Sequence, residues 1–359
     1  MNPIYEKLRA KLDTLGTGFP KTEGGAEYEL LQNRFSVEDA EYAVELKADW
    51  ESPADLAGRM GKDVAVVSEK LLDMSHRGLI YRKRIDGDAF YKVMPWILGI
   101  MEYQVNRGGA EAEFRAVQNK YFAGGYGRTM WGNETPLLRY MPVNAELVNE
   151  NKLLLCDDAR AVIDSKQKVA VMNCICRQGT LARGDHCEHV NHPIETCLAC
   201  DTWAEFFVEN GDARYITKEE AKDLLSRAEA EGLLIMTANS ESADTICMCC
   251  SCCCGPLRLL KRTVGHARNY AGNYLCVKNE ELCVNCGKCA ERCLVSAHVK
   301  DENGKVKYDP SLCIGCGLCV STCPSKALSL EIKERDQRNV PYGTLDELQD
   351  ALAEQRLGK

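Results

Sequence analysis

The sequence predicts an α+β chain of several domains, on three observations. It has 359 residues, enough for two to four domains of ordinary size. Hydrophobic residues make up 45% and charged residues 27%, so a core can form throughout and nothing points to disorder. The 21 cysteines are unevenly spread: none precedes Asn151, 13 lie from Cys156 to Cys276, and eight follow in a repeat. Those breaks, with linker and turn signals, divide the chain at 1–34, 35–95, 96–151, 152–275, 276–332 and 333–359.

Apolar spacing gives the first segment a short helix over Tyr5–Leu15, and a Gly-, Pro- and Thr-rich link follows from Gly16 to Gly25. In 35–95, Ser36 caps a helix through Ala40 and Ala43. Ser52-Pro53 starts a second, with proline at the first helical position. After Gly61 a third helix sets Val64, Val67, Leu71, Leu72 and Met74 on one face. Arg77-Gly78 stops it, Leu79-Ile80-Tyr81 reads as a strand, and Asp86-Gly87 turns the chain into a second strand from Ala89 to Val93.

Three helices and a two-stranded wing, centred on Asp55-Leu56-Ala57 to Gly78-Leu79-Ile80, resemble a winged helix-turn-helix. Such domains often bind DNA, so charge matters. Phe35–Pro95 carries nine Lys and Arg against twelve Asp and Glu. Only Arg82-Lys83-Arg84, at the wing, offers a grip on phosphate. The whole chain, with 45 basic and 53 acidic residues and a net charge of −8, is a poor polyanion binder. A module for packing or partner docking is the expectation.

Segment 96–151 is rich in Gly and aromatics (Gly124-Gly125-Tyr126-Gly127). It reads as an ordered loop rather than a cofactor lining, because G-x-G-x-x-G is not completed. Segment 152–275 reads as a cysteine-rich α/β domain. Lys168–Asn173 is a strand, Thr217 and Glu220 box a helix buried through Ala221, Leu224, Leu225 and Ala228, and Gly232 ends it before the strand Leu233–Met236. In 276–332, Leu282–Val299 and Leu312–Leu330 repeat at an offset of 30, with a hairpin signal at Asn303-Gly304 between Val299 and Val306. The tail 333–359 is an amphipathic helix with Thr344 and Glu347 at its start and Leu345, Leu348 and Leu352 in its stripe. It serves either to pack on its own chain or to dock a partner.

The opening Met-Asn-Pro-Ile-Tyr-Glu-Lys-Leu-Arg has no signal-peptide pattern, and the longest apolar run, Val93–Met101, falls short of the ~18 residues that span a bilayer. A reducing cytoplasm, with thiolates bound to metal, is the expectation. Each C-terminal repeat reads C-x2-C-x2-C-x3-C: Cys283, Cys286, Cys289, Cys293, then Cys313, Cys316, Cys319, Cys323 and Pro324. This resembles the two-cluster bacterial ferredoxin. Three thiolates at this spacing wrap three corners of a cube, and the fourth crosses to the other cluster. The resemblance therefore implies one 4Fe–4S cluster on Cys283, Cys286, Cys289 and Cys323. The other sits on Cys313, Cys316, Cys319 and Cys293. Gly287, Gly315 and Gly317 suit a close approach of backbone to sulfide. Leu294 stands where the family usually has proline. Neither repeat has a ligand position to spare for a substrate.

The middle cysteines fall in two groups: Cys174, Cys176, Cys187, Cys197 and Cys200, then Cys247, Cys249, Cys250, Cys252, Cys253 and Cys254. Cys174 and Cys176, two apart in an extended stretch, project to one face. Adjacent cysteines in the second group point apart and suit two metal centres or one irregular cluster. Arg177 and Arg258 follow the groups and offset negative charge. At least one further iron–sulfur cluster is expected here. The alternative is zinc, which C-x-x-C at Cys197 and Cys200 also suits. His186, His189 and His192 read as surface or supporting histidines, and Cys156 and Cys276 as lone buried thiols. The combination resembles an uncharacterised type of 4Fe–4S protein from anaerobes. Cys253-Cys254-Gly255 is similar to the Cys-Cys-Gly motif of heterodisulfide-reductase catalytic subunits, without its flanking spacing.

The functional expectation is a cytoplasmic electron-transfer protein, or a subunit of an anaerobic oxidoreductase complex. It passes single low-potential electrons through two 4Fe–4S clusters to a further metal centre or a flavoenzyme partner. The alternatives are a redox-sensing winged-helix regulator and an oxidoreductase with a catalytic cluster in the middle domain.

Overall fold

The computed structural model describes residues 2–106, 111–143, 157–187, 193–260 and 270–358. Its first part is helical because capping residues recur at short intervals. Helices α1 (Pro3–Asp13) and α2 (Ala26–Arg34) precede α3 (Val37–Glu45) and α4 (Pro53–Met60). Ser36 with Asp39, and Ser52 with Asp55, form reciprocal capping boxes at the starts of α3 and α4. In α5 (Val64–His76), Val67, Leu71 and Met74 are buried, whereas Val64 and Leu72 are exposed. The expected stripe was too wide. Leu72 lies about 100° round the helix from Leu71, and Val64 sits at the exposed first turn. Strands β1 (Tyr81–Ile85) and β2 (Asp88–Lys92) pair antiparallel across Asp86 and Gly87, both at positive φ, as a two-residue hairpin requires.

Asp39 holds this part together. Its carboxylate accepts from the Ser36 N–H at 2.9 Å and from Arg77 at 2.6 and 2.9 Å, linking α3 to the end of α5. Burial alone would raise its pKa, but the bonds from Arg77 and Lys70 carry it well below the ordinary 3.8. Because the folded value is depressed, the stabilisation is present above about pH 4 and lost as pH falls below it. Asp39→Ala is expected to destabilise the protein by about 1–2 kcal/mol at pH 7, since Arg77 is partly exposed. The difference from wild type should shrink in unfolding curves recorded toward pH 3.

The cations of the β1–β2 hairpin are engaged within the chain. Arg82 is buried and bonds Glu209 at 2.9 Å and Asn210 at 3.0 Å, Arg84 bonds Glu209 at 2.9 Å, and Lys83 lies 4.2 Å over the Trp50 ring. The aromatics of the 96–151 segment pack inward. After α6 (Ala112–Tyr121) and before α7 (Gly127–Trp131), Tyr121 and Tyr126 stack at 4.9 Å, and Phe19 meets Tyr121.

From β3 (Leu138–Met141) onward the chain builds a seven-stranded sheet. Its elements are α8 (Ala159–Ser165), β4 (Val169–Asn173), α9 (Ile175–Ala182), β5 (Glu195–Cys200), α10 (Asp201–Glu209) and β6 (Ala213–Tyr215). Then come α11 (Lys218–Glu231), β7 (Leu234–Ala238), β8 (Thr245–Cys249), α12 (Gly255–Leu260) and β9 (Tyr270–Ala271). The strand order is β6-β4-β5-β8-β7-β3-β9, and every pairing is antiparallel except β3 with β9. The region is thus α+β, not α/β, because its strands turn back on one another instead of crossing over in parallel. Strand β3, from the 96–151 segment, pairs with both β7 and β9 in this sheet. Thr217 caps α11 through the Glu220 N–H, but the Glu220 carboxylate bonds Arg214 at 2.8 Å and leaves the box open.

The last part contains β10 (Tyr274–Lys278), α13 (Lys288–Arg292), β11 (His298–Lys300), β12 (Val306–Tyr308), β13 (Leu328–Ile332) and α14 (Leu345–Leu357). β10 pairs with β13, and β11 with β12 around Asn303-Gly304, all antiparallel. The tail packs on its own chain: Leu345, Leu348 and Leu352 are buried, Asp346 meets Lys92 at 2.5 Å, and Arg356 meets Asp13 at 3.2 Å. Arg139 on β3 is wholly buried. It bonds Asp157 at 2.5 Å, Asn239 at 3.2 Å and the Asn339 carbonyl at 2.7 Å, while Asn273 donates to Asp157 at 3.0 Å. Among the described residues no helix is long and apolar enough to cross a membrane.

Candidate metal centres

The two cysteine repeats fold as loops around two hollows. Cys283, Cys286, Cys289 and Cys323 line one of them. Cys293, Cys313, Cys316 and Cys319, joined by Cys276, line the other. Each hollow therefore takes three thiols from one repeat and the last thiol of the other. Backbone N–H groups point at sulfur, from Ala297 to Cys293 at 3.1 Å and from Gly315 to Cys313 at 3.4 Å. Such bonds favour the thiolate form. The first hollow opens toward solvent, with Cys286, Leu282 and Val284 exposed.

The middle cysteines separate into two sets and a remainder. Along β8, Cys247 and Cys249 share a face, and Cys197 on β5 stands directly across from Cys247. Cys174 ends the extended stretch after β4, Cys176 lies in the first turn of α9, and Cys254 precedes α12. Their thiols form a closed ring. Cys174 meets Cys176 and Cys197, Cys254 meets Cys176 and Cys249, and Cys247 meets Cys197 and Cys249. The second set is Cys187, Cys250, Cys252 and Cys253, whose sulfurs all lie within 4.8 Å of one another. Cys200 belongs to neither. Three residues from Cys197 on a strand, it points to the opposite face, where burial pushes its thiol up to about 12. Cys197 and Cys200 therefore share no site.

Two buried guanidiniums serve these sets. Arg177 bonds the Pro193 carbonyl at 2.8 Å and lies 3.9 Å from the Cys250 sulfur. Against its burial, Cys252 and Arg177 hold the Cys250 thiol below its ordinary value. Arg115 faces Cys176 and Cys174, bonds the Ile175 carbonyl, and occupies space left by Gly179, where a Cβ would sit 2.2 Å from its Nε. Arg258 donates its backbone N–H to the Cys254 carbonyl at 2.9 Å. His186 is exposed, and His189, His192 and Cys156 lie outside the described residues.

Residues 282–327 match the 4Fe-4S dicluster domain family. No curated protein matches the chain. The dicluster domain and the cysteine groupings mean that the protein binds 4Fe–4S, and they give it an iron–sulfur, electron-transfer character.

Within the dicluster domain, Gly315 has a demanding position. Its φ is +71°, and a Cβ there would lie 2.1 Å from the Tyr274 carbonyl oxygen on β10. Gly315→Ala is expected to cost at least about 2 kcal/mol and to displace the loop carrying Cys313 and Cys316. Lower thermal stability and reduced iron content in the purified protein would show it. Cys276, read from sequence as a lone thiol, is not alone. Its sulfur lies 3.6 Å from that of Cys319 and 3.7 Å from His298 Nε2. Burial and Lys278 lower the His298 pKa to about 4, so the ring is neutral at pH 7.

Sequence reasoning missed Arg115, His298 and Glu102. Burial pushes the Glu102 carboxyl up to about 8, and Cys176 and Cys247 add to the shift. All three act across long sequence separations. Only the Gly179 beside Arg115 was a visible signal, and it was not distinctive.

Proposed function

We propose that this protein is an electron-transfer protein, or a subunit of an oxidoreductase complex, that passes single low-potential electrons through two 4Fe–4S clusters to a third centre. In this reading Cys283, Cys286, Cys289 and Cys323 hold one cluster. Cys313, Cys316, Cys319 and Cys293 hold the other. The ring of Cys174, Cys176, Cys197, Cys247, Cys249 and Cys254 carries a further iron–sulfur centre. The observation that carries the proposal is continuity. Ile314, Leu318 and Leu294 of the dicluster domain share one apolar core with Cys174, Cys197, Cys249 and Cys254. Val143, just after β3, donates its N–H to the Cys316 carbonyl at 3.0 Å.

A cluster bound here supplies reversible one-electron storage. The protein's own part is to hold the thiolates and aim N–H dipoles at them. Exposed Leu282, Val284 and Cys286 offer the first hollow to a redox partner such as a flavoenzyme or another iron–sulfur subunit. The N-terminal module that resembles a winged helix has packing or docking as its role, which the engagement of Arg82, Lys83 and Arg84 supports. Thiolate ligation on this scale suits the reducing cytoplasm of an anaerobe.

Anaerobically purified, reconstituted protein tests the reading. It should contain about eight iron and eight acid-labile sulfide for the dicluster domain and more for the ring. Cys249→Ser should remove the excess while leaving the reduced dicluster spectrum in place. Fewer than about eight of each sinks the two-cluster assignment. An excess that is absent from wild type removes the third centre.

A further inference from the structure

We infer that Cys187, Cys250, Cys252 and Cys253 hold a single zinc ion as a tetrahedral thiolate site, distinct from every iron–sulfur centre of the chain. The spacing argues it. Four sulfurs each about 2.3 Å from a tetrahedral ion stand roughly 3.8 Å apart. Here Cys187 lies 3.7 Å from Cys250 and 3.7 Å from Cys252, and Cys252 lies 3.8 Å from Cys253. All four sulfurs fall within 4.8 Å of one another.

The dicluster quartets provide an internal contrast. Each lines a hollow, and the four sulfurs of neither quartet gather within 4.8 Å of one another. A cube pushes its ligands out to its corners, whereas one ion draws them together. The six-thiol ring likewise closes by neighbour-to-neighbour contacts, without gathering to one point.

The donor set fits the ion's chemistry. Thiolate-only ligation suits zinc, and a divalent ion with four thiolates carries a net charge of −2. Arg177 lies against Cys250 at 3.9 Å, the Cys253 N–H bonds the Cys250 sulfur, and the Thr180 hydroxyl contacts Cys253. Each favours negative charge on sulfur. As the ion binds, the thiols release their protons to solvent, and no electron moves. Three ligands come from the turn between β8 and α12 and the fourth from the loop after α9, 63 residues upstream of Cys250. The ion thus staples the two segments whose flanking cysteines, Cys176, Cys249 and Cys254, belong to the ring. Its role is to fix that ring in shape, without itself changing oxidation state.

Metal analysis of the full chain, purified anaerobically with its clusters, tests this. Wild type should carry about one zinc per chain. Cys187→Ser and Cys252→Ser should each lose it, with the reduced dicluster EPR spectrum and its iron unchanged, and Cys200→Ser should keep it. Should the variants fail to fold, zinc-edge X-ray absorption of wild type must show four sulfurs at about 2.3 Å. Zinc absent from wild type, a shell containing nitrogen or oxygen, or iron falling by about four in Cys252→Ser overturns the assignment. So does zinc lost from Cys197→Ser but kept in Cys252→Ser. The inference is independent of the electron relay: a protein with zinc and no third iron–sulfur centre sinks the relay and leaves this site standing.

Discussion

Cys293→Ser is expected to abolish the cluster of the second repeat rather than that of its own. Cys293 lines the hollow formed by Cys313, Cys316 and Cys319, and Cys323 lines the hollow of Cys283, Cys286 and Cys289. Each single variant, Cys293→Ser or Cys313→Ser, should lose about four iron and four sulfide per chain. The double variant decides the matter. If the two thiols serve one cluster, it loses no more iron than either single variant. If each repeat served its own cluster, the double variant would lose about eight. Iron and sulfide assays with low-temperature EPR read the outcome. Spin coupling between the two reduced clusters should vanish in every one of these variants.

Arg139→Ala is expected to lower stability by about 3–5 kcal/mol. Arg139 and Asp157 are both fully buried, so removing the guanidinium leaves a buried carboxylate without its countercharge, still accepting from Asn273. It also removes the donor to the Asn339 carbonyl and the Asn239 amide oxygen. A double replacement, Arg139→Met with Asp157→Leu, should recover much of the loss, because apolar side chains of similar volume need no partner. Thermal unfolding of the cluster-loaded protein measures both. A loss under about 1 kcal/mol for Arg139→Ala would show that the network contributes little.

Much of the fold was legible. Ser36, Ser52, Thr217 and Thr344 cap helices where capping rules put them, and Asp86-Gly87 and Asn303-Gly304 turn the chains they were expected to turn. These signals act within a few residues, so a linear reading finds them. Less legible was the sheet. The strands β4 and β7 were visible, but β5 and β8 were not, and the antiparallel order and the recruitment of β3 and β9 depend on pairings far apart in the chain. The stripe of α5 was overdrawn because apolar residues alone do not say which neighbours will cover them.

The candidate site divides in the same way. The eight cysteines of the dicluster domain sit in two short runs, so spacing alone announces the cofactor. In the middle region spacing raises the expectation of metal but says nothing of its grouping. Register across β5 and β8 sets Cys197 against Cys247, and strand alternation turns Cys200 away. A distant loop brings Cys187 to Cys250, Cys252 and Cys253. Local chemistry is written in neighbouring letters because a loop around a cube or a capped helix closes over a few bonds. The partition of eleven thiols into a ring, a quartet and one bystander is not, because it depends on long-range packing that places residues dozens of positions apart within a sulfur's reach.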